Sequence, residues 1–383
     1  MRICFITHKV RKGDGQGRVN YEVIREMLAQ GHEVVVISSE LSEELAAMDR
    51  VVWKKISVRR LPSELLRNQW FAIASALWLL FLGKRIDITV ANGFITYARS
   101  NINCIHFVHR SWLNSKYHPF RERKSARSFY QYIFNFLNSF LEKFAVRRTD
   151  RIVAVSEQVK QELLDSVGIA EEHISVIRNG VDLREFYPRK VKRADYHLSE
   201  DKIYALFAGD IKSSRKNLDT VLKSVADVED LHLLVIGSTK GSIYPQLAQS
   251  LGIADRVHFL GYRTDIAEMM SLADLFVYPS RYEPFALVLL EAMAVGLPII
   301  TSCNCGAVEL LNNDAAIIID DPNDREALTD AIKQCLSSRD RLIRMGNEAK
   351  RLAVHCSWSE MAGHYSRVIQ ETAVHKAVTA TPR

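Results

Sequence analysis

Eleven apolar runs of three to six residues, alternating with longer stretches of helical periodicity, set the limits on how this chain can fold. Five lie in the first half, at Ile3–Thr7, Val34–Ser38, Ile86–Ala91, Cys104–Val108 and Ile152–Val155. Six follow at Tyr204–Ala208, Leu231–Ile236, Val257–Leu260, Leu275–Tyr278, Ile299–Thr301 and Ala316–Ile319. Runs that are apolar throughout need cover on both faces of a strand. Helices in the connections supply that cover in parallel α/β sheets. Between the two sets, Asp182–Arg193 is polar, contains Pro188 and reads as a linker. With 383 residues and 48% hydrophobic content the chain can bury two cores. No short-period repeat and no low-complexity segment interrupts the pattern. The expectation is an α/β protein of two domains.

The segment Ser-Arg-Tyr-Glu-Pro-Phe-Ala-Leu-Val-Leu-Leu-Glu-Ala-Met, residues 280–293, carries two glutamates eight positions apart, Glu283 and Glu291. An apolar strand ending at Pro279 precedes it, and Gly296 and Pro298 provide a helix stop after it. Pro284 suits the first position of a helix, where a missing N–H costs nothing. That reading puts Glu283 just outside the helix and Glu291 about two turns inside. The unpaired N–H groups near Phe285, Ala286 and Leu287 would face a pocket. A helix N-terminus of this kind binds phosphate, and carboxylates on either side can accept hydrogen bonds from sugar hydroxyls. The spacing alone is equally compatible with a solvated glutamate beside an ordinary amphipathic helix.

This stretch resembles the E-x7-E signature of retaining glycosyltransferases with the GT-B fold, family 4. The likeness runs through Gly15-Gln-Gly-Arg18, Val155-Ser-Glu157, Val176-Ile-Arg-Asn-Gly-Val-Asp182, Phe207-Ala-Gly-Asp210, Arg215-Lys-Asn-Leu218, Val257-His-Phe-Leu-Gly261 and Cys356-Ser-Trp358, in the family's order. It implies two Rossmann-like domains facing a central cleft: an acceptor-side domain, residues 1–182, and a nucleotide-sugar domain, residues 183–355. Residues 356–383 form a last helix that crosses back to the first domain, with Trp358 at the crossing. It also implies retaining transfer from a UDP- or GDP-sugar to a glycan or lipid-linked acceptor, with no metal or other cofactor.

Residue by residue, the resemblance makes His109, Lys216 and Glu283 the catalytic candidates. Gly15, Gly17, Asn179, Gly209, Arg215, Lys216, Glu283, Phe285, Ala286, Leu287 and Glu291 are the donor-site candidates. Lys216 corresponds to the family's diphosphate clamp, Glu283 to the contact with the transferred sugar, and Glu291 to the ribose contact. Glu309, in Gly306-Ala-Val-Glu309, matches a further acid, and His109 the active-site histidine, whereas His106 is read as structural. Asn179-Gly180 is by itself a turn dipeptide; the resemblance puts it near the donor. Two departures stand out. Asp210 follows Gly209 where the family carries Arg, leaving Lys212 or Arg215 as substitutes. Ala286 replaces a usual glycine and would add a methyl beside the phosphate.

Gly13, Gly15 and Gly17 followed by Glu40 superficially resemble a dinucleotide fingerprint, but the spacing is G-x-G-x-G, not G-x-G-x-x-G. Of six cysteines only Cys303 and Cys305 are close, which gives a metal or redox role no second pair. The start of the chain lacks the apolar core of a secretory signal, and a cytoplasmic location is expected. Trp70–Leu82 is too short to span a bilayer and reads as a buried helix. Residues 51–150 carry 17 Lys and Arg against 5 Asp and Glu, in a chain of net charge +6. Arg121, Arg123, Lys124 and Arg127 precede the aromatic-rich Phe129–Phe140. Two readings follow: a solvated helix face over core aromatics, or a surface in residues 110–150 that docks peripherally on the anionic inner face of a membrane. No nucleic-acid motif accompanies the charge. A non-catalytic nucleotide-sugar-binding protein and a GT-B nucleotide-sugar epimerase are the alternatives to a transferase.

Overall fold

A computed structural model describes residues 1–122 and 124–380. The chain folds as two units, Met1–Gly180 with the segment from Trp358 onward, and Val181–Ser357. The first unit holds a seven-stranded sheet of β1 (Arg2–Ile6), β3 (Glu33–Ser38), β5 (Val51–Lys55), β6 (Ile88–Asn92), β7 (Ser100–Ile105), β8 (Thr149–Ala154) and β9 (Ile174–Val176). Their order is β5-β3-β1-β6-β7-β8-β9, and every pairing is parallel. A separate ribbon pairs β2 (Lys9–Val10) with β4 (Glu40–Leu41). The second unit holds β10 (Ile203–Ala208), β11 (Leu231–Ile236), β12 (Val257–Gly261), β13 (Leu275–Tyr278), β14 (Ile299–Ser302) and β15 (Ala316–Ile319). Their order is β12-β11-β10-β13-β14-β15, again all parallel.

The strands are apolar throughout because helices cover both sides. Ala205, Leu206 and Phe207 of β10 are fully buried, as are Leu275, Phe276 and Val277 of β13. Each such side chain contributes about 1.5–3 kcal/mol of hydrophobic stabilisation, alanine less. The segment read as a linker, Asp182–Arg193, is part of the second unit. Arg189 pairs with Glu268 at 2.9 Å and Arg193 with Asp274 at 2.8 Å, and these two ion pairs hold it there.

The last helix, Trp358–Ala380, belongs to the first unit and packs on the Gly15–Ala29 helix. Met361, Ala362, Tyr365 and Ile369 enter its core. The Arg18 guanidinium lies 5.6 Å from the Trp358 ring, and Ser366 donates to Gln30 at 2.7 Å.

Two helices of this unit turn apolar side chains outward: the expected burial of Trp70–Leu82 holds for one side of its helix only, and of the two readings of the aromatic stretch the core-aromatic one is overturned. In Glu64–Leu82 only Phe71, Ala72, Ser75 and Leu82 are buried. In Ala126–Val146 the buried side chains are mostly polar, among them Asn135, Asn138 and Glu142. Phe129, Tyr130, Phe136, Leu137, Phe140 and Phe144 of that helix face outward. In the second helix polar side chains turn inward because they find partners there, whereas the first is apolar on its inward and its outward side alike. Arg123, one of the basic residues singled out above, lies outside the described residues.

Candidate functional site

β10 and β13 are parallel neighbours, so the loops that follow them leave the same edge of the second sheet side by side. The first loop runs from Gly209 to Asn217 and the second from Pro279 to Ala286. They are laced together. The Arg281 N–H and the Ser280 hydroxyl both donate to the Arg215 carbonyl at 2.7 Å. The Arg281 guanidinium donates to Asp219 at 2.7 and 3.0 Å, to the Ser214 carbonyl at 2.7 Å and to Asn323 at 2.7 Å. Asn217 adopts a left-handed conformation, φ +64°, which asparagine tolerates better than most residues. Its buried amide donates to the Pro279 carbonyl at 2.8 Å and the Pro322 carbonyl at 2.5 Å.

The lacing brings Lys216 against Glu283. The ammonium and the carboxylate are directly bonded, with side-chain exposures of 15% and 16%. The Tyr278 hydroxyl donates to the same carboxylate oxygen at 3.2 Å, and the Lys216 ammonium lies 5.4 Å from the Tyr278 ring centre. Burial alone would raise the Glu283 carboxyl, but the charges of Lys216 and Arg215 outweigh it and hold the group below the usual carboxylate range. Burial, then the Glu283 charge, pushes the Tyr278 phenol well above its ordinary value. Gly209 completes the group: a methyl there would sit 3.6 Å from the Tyr278 ring and 3.9 Å from the Lys216 chain. The result is two cations, one ionised carboxylate and a phenol above a glycine floor. Such a set can hold a phosphate and a hydroxyl at once.

The helix of the E-x7-E segment starts later than its sequence implies. It spans Leu287–Val295, so Pro284 is not its first residue and Glu291 lies just over one turn inside. Glu283 forms an isolated bridge with Cys305: its N–H donates to the Asn304 carbonyl at 2.9 Å and its carbonyl accepts from Gly306 at 2.8 Å. The Phe285 carbonyl accepts from Ala307 at 2.8 Å. These bonds hold residues 283–285 out of the helix, which begins only after Ala286 has turned the chain at φ +71°. That angle gives the family's glycine a backbone reason, since left-handed geometry strains any residue with a Cβ. Its N-cap residue, Ala286, has no side-chain oxygen to cap it, and Leu287 supplies its first N–H. Glu309 lies in the short helix Gly306–Leu310 just beyond the bridge.

Asp210 is exposed, and its carboxylate accepts the Lys212 N–H at 3.1 Å, a local turn that occupies the acid at the position of the missing arginine. Cys303 is exposed and Cys305 buried, its thiol pushed up to about 11 by burial.

The remaining candidates lie in the first unit. Gly15 opens the Gly15–Ala29 helix, and Asp14 caps it by accepting from Gly17 at 2.9 Å. A methyl on Gly17 would come within 2.9 Å of that Asp14 oxygen, so the glycine is required by its own cap. His109 is the first residue of the His109–Asn114 helix. Its Nδ1 is 2.9 Å from Asn135 Oδ1, while the Asn135 amide donates to the Gln131 carbonyl at 2.8 Å. With the amide so oriented, Nδ1 donates and Nε2 is the acceptor nitrogen of the ring. The His109 backbone N–H donates to buried Glu142 at 3.0 Å. Burial raises that carboxyl to about 8. Asn179 is buried, and its amide oxygen has no partner among the described residues. His106 lies just past β7, and burial lowers its imidazole to about 4.

Sequence reasoning missed Tyr278, Arg281, Asn135 and Glu142. Arg281 left a signal, as the one cation in a strand-to-helix segment whose other charges are the carboxylates Glu283 and Glu291. Asn135 and Glu142 left another, as polar residues repeating at i and i+7 in an aromatic helix.

Two family models match the chain. The one described as Glycosyltransferase Family 4 covers residues 13–185, and the one described as Glycosyl transferases group 1 covers residues 188–352. The D-inositol 3-phosphate glycosyltransferase of Nocardia farcinica is 29% identical over 237 residues, 58% of this chain and 52% of its own. The chain thus spans about half the length of this curated relative. The crystal structure of WaaG, a glycosyltransferase involved in lipopolysaccharide biosynthesis, superposes with a TM-score of 0.78 at 17% identity over 96% of this chain and 99% of WaaG. Anabaena HepE, solved with UDP and glucose, gives 0.74 at 18% identity over 97% of this chain and 99% of its own. At such identities the structures establish the fold. With its two parallel α/β units, matched along nearly their whole length, the chain belongs to the GT-B glycosyltransferases of family 4.

Proposed function

We propose that the protein moves a sugar from a UDP- or GDP-sugar to a hydroxyl of a glycan or lipid-linked acceptor, with retention of configuration and without a metal ion. The observation that carries the proposal is the Lys216–Glu283 pair, held with Tyr278 and Arg215 at the loop edge that leads into the Leu287–Val295 helix. Lys216, Arg215 and the helix N–H groups would hold the diphosphate and stabilise the charge gathering on the leaving phosphate. Glu283 would accept from hydroxyls of the transferred sugar and Glu291 from the ribose. His109 would offer Nε2 to a sugar hydroxyl. In a front-face transfer the bond from the anomeric carbon to phosphate oxygen breaks while the acceptor oxygen bonds to that carbon on the same face. The acceptor proton passes to the leaving phosphate, so no protein nucleophile is needed.

WaaG acts in lipopolysaccharide biosynthesis and HepE binds UDP and glucose, which favours a uridine donor and an amphiphilic acceptor here. The outward aromatics of Ala126–Val146, with Arg121, Lys124, Arg127 and Lys143 nearby, suit peripheral contact of residues 110–150 with an anionic cytoplasmic membrane face.

Thermal stabilisation by a panel of UDP-, GDP- and ADP-sugars, with magnesium or with chelator, tests the donor site. The expected result is a shift with one sugar nucleotide that is indifferent to magnesium and lost in Glu291→Ala. Slow donor hydrolysis without acceptor should accompany it. Binding with no turnover above background would favour a binding protein, and no shift with any sugar nucleotide would overturn the assignment.

A further inference from the structure

We infer that the Glu64–Leu82 helix is a second membrane-docking element, lying flat on an anionic bilayer beside the Ala126–Val146 helix. Leu66, Trp70, Ile73, Leu77, Leu80 and Phe81 are between 45% and 77% exposed. They recur at helical spacing and form one outward stripe about 22 Å long. From Asn68 to Leu82 the helix carries no charge. An ordinary surface helix would put its polar residues on this face, and a contiguous apolar patch of this size marks an interaction surface.

By length and composition alone the helix is apolar enough to cross a bilayer. Its other side, however, is built into the first unit. Phe71 and Leu82 belong to that unit's core, and the buried Ser75 hydroxyl donates to the Ile95 carbonyl at 3.0 Å. One side fixed and the other apolar is the arrangement of an interfacial helix.

The two helices with outward apolar faces meet at Tyr97. Its N–H donates to the Ala72 carbonyl at 3.4 Å and its hydroxyl is bonded to Gln69, both on the first helix. Its ring lies 6.4 Å from that of Phe144 on the second, and Arg148 donates to its carbonyl at 3.5 Å. Charge selects the occupant. Arg67 and Arg85 flank the stripe, and the Lys54 ammonium lies 4.9 Å from the Trp78 ring. The surrounding residues 51–150 carry net +12. A second copy of this chain would bring the same positive charge against it, whereas anionic headgroups would neutralise it and take the apolar stripe into the acyl boundary.

This inference rests on the proposed membrane contact of residues 110–150, and paired variants separate the two. The full chain is sedimented with phosphatidylcholine vesicles, with and without phosphatidylglycerol, alongside Leu77→Gln/Phe81→Gln and Phe136→Gln/Phe140→Gln. The expected result is binding that requires phosphatidylglycerol and weakens about tenfold or more in Leu77→Gln/Phe81→Gln, while melting temperature and nucleotide-sugar stabilisation stay unchanged. Loss in Phe136→Gln/Phe140→Gln alone would overturn the role of the first helix and leave the contact of residues 110–150 standing. No sedimentation of the wild type would overturn both. A dimer in solution that dissociates in Leu77→Gln/Phe81→Gln would make the stripe a self-association surface and overturn the inference.

Discussion

Lys216 and Glu283 neutralise each other directly at the meeting of two loops from adjacent parallel strands, 67 residues apart in the chain. The pairing resolves an apparent conflict, because a carboxylate this enclosed would otherwise be driven towards its neutral form. With Lys216 and Arg215 beside it, Glu283 keeps its charge, and Lys216 is fixed where an anionic group can share it.

Lys216→Met removes the larger of the two attractions that hold the Glu283 carboxyl down, and burial then raises it. In the proposed chemistry the variant also loses a cation facing the leaving phosphate, an effect of about 10²–10³ in turnover. We expect kcat/KM to fall by that amount. Lys216→Met/Glu283→Gln should fall by less than the product of the two single losses, because contacting residues couple. A loss below about tenfold in Lys216→Met would remove Lys216 from the transfer step.

Arg281 holds the loop that carries Arg215 and Lys216, through its backbone N–H to the Arg215 carbonyl and its guanidinium to the Ser214 carbonyl and Asp219. Only 6% of its side chain is exposed, against 25% for its partner Asp219. Breaking a buried pair on one side costs about 3–5 kcal/mol; with Asp219 partly solvated, about 2 kcal/mol is expected for Arg281→Met. Donor KM should rise with it. Arg281→Lys keeps the charge but loses the planar fork, and should recover only part of each. Urea unfolding together with donor titration measures both. Normal donor affinity in a destabilised Arg281→Met would make the clamp purely structural.

The alternation of apolar runs was enough to read two parallel sheets, since strands covered on both faces have no other common arrangement. The motif residues around Glu283 were legible as a group for the same reason: they follow strand ends. Three features were not. Helical spacing does not say which stripe is inward, so Trp70–Leu82 was read as buried throughout and the Phe140 face was left open between core and surface. Proline at 284 satisfied a local rule that the Glu283–Cys305 bridge overrides. The partners of His109 come from a helix 26 and 33 residues downstream, and no local pattern joins Asn135 or Glu142 to it.

Ala286 is one of three non-glycine residues with positive φ among those described, at +71° and only 5% exposed. The left-handed conformation costs a residue with a Cβ about 1–2 kcal/mol, part of which glycine gives back through the entropy of its unfolded chain. Ala286→Gly should therefore stabilise by about 0.5–1 kcal/mol, and Ala286→Val should destabilise by more than about 2 kcal/mol, since branching at Cβ worsens the same clash. Chemical denaturation of the three proteins checks the order Gly above Ala above Val. The reverse order would mean that the methyl group's packing outweighs the backbone strain.

Glu142 gives the first unit a pH dependence of definite sign. Burial raises its carboxyl to about 8, against the partial opposition of the His109 and Arg110 N–H groups, and the nearby Glu162 charge adds to the rise. Folded protein thus holds this proton more tightly than the unfolded chain, whose glutamate releases it near its ordinary value of about 4.3. The group's stabilising contribution is complete below that value and is lost as pH rises through about 8. Glu142→Gln keeps a neutral acceptor for the His109 N–H without the titration. The variant should match the wild type near pH 5 and exceed it above pH 8 by on the order of 2–4 kcal/mol. Melting curves of both proteins across this range provide the measurement. Parallel curves would show that Glu142 ionises at an ordinary pKa, and that the His109 helix is held by a carboxylate instead of its acid.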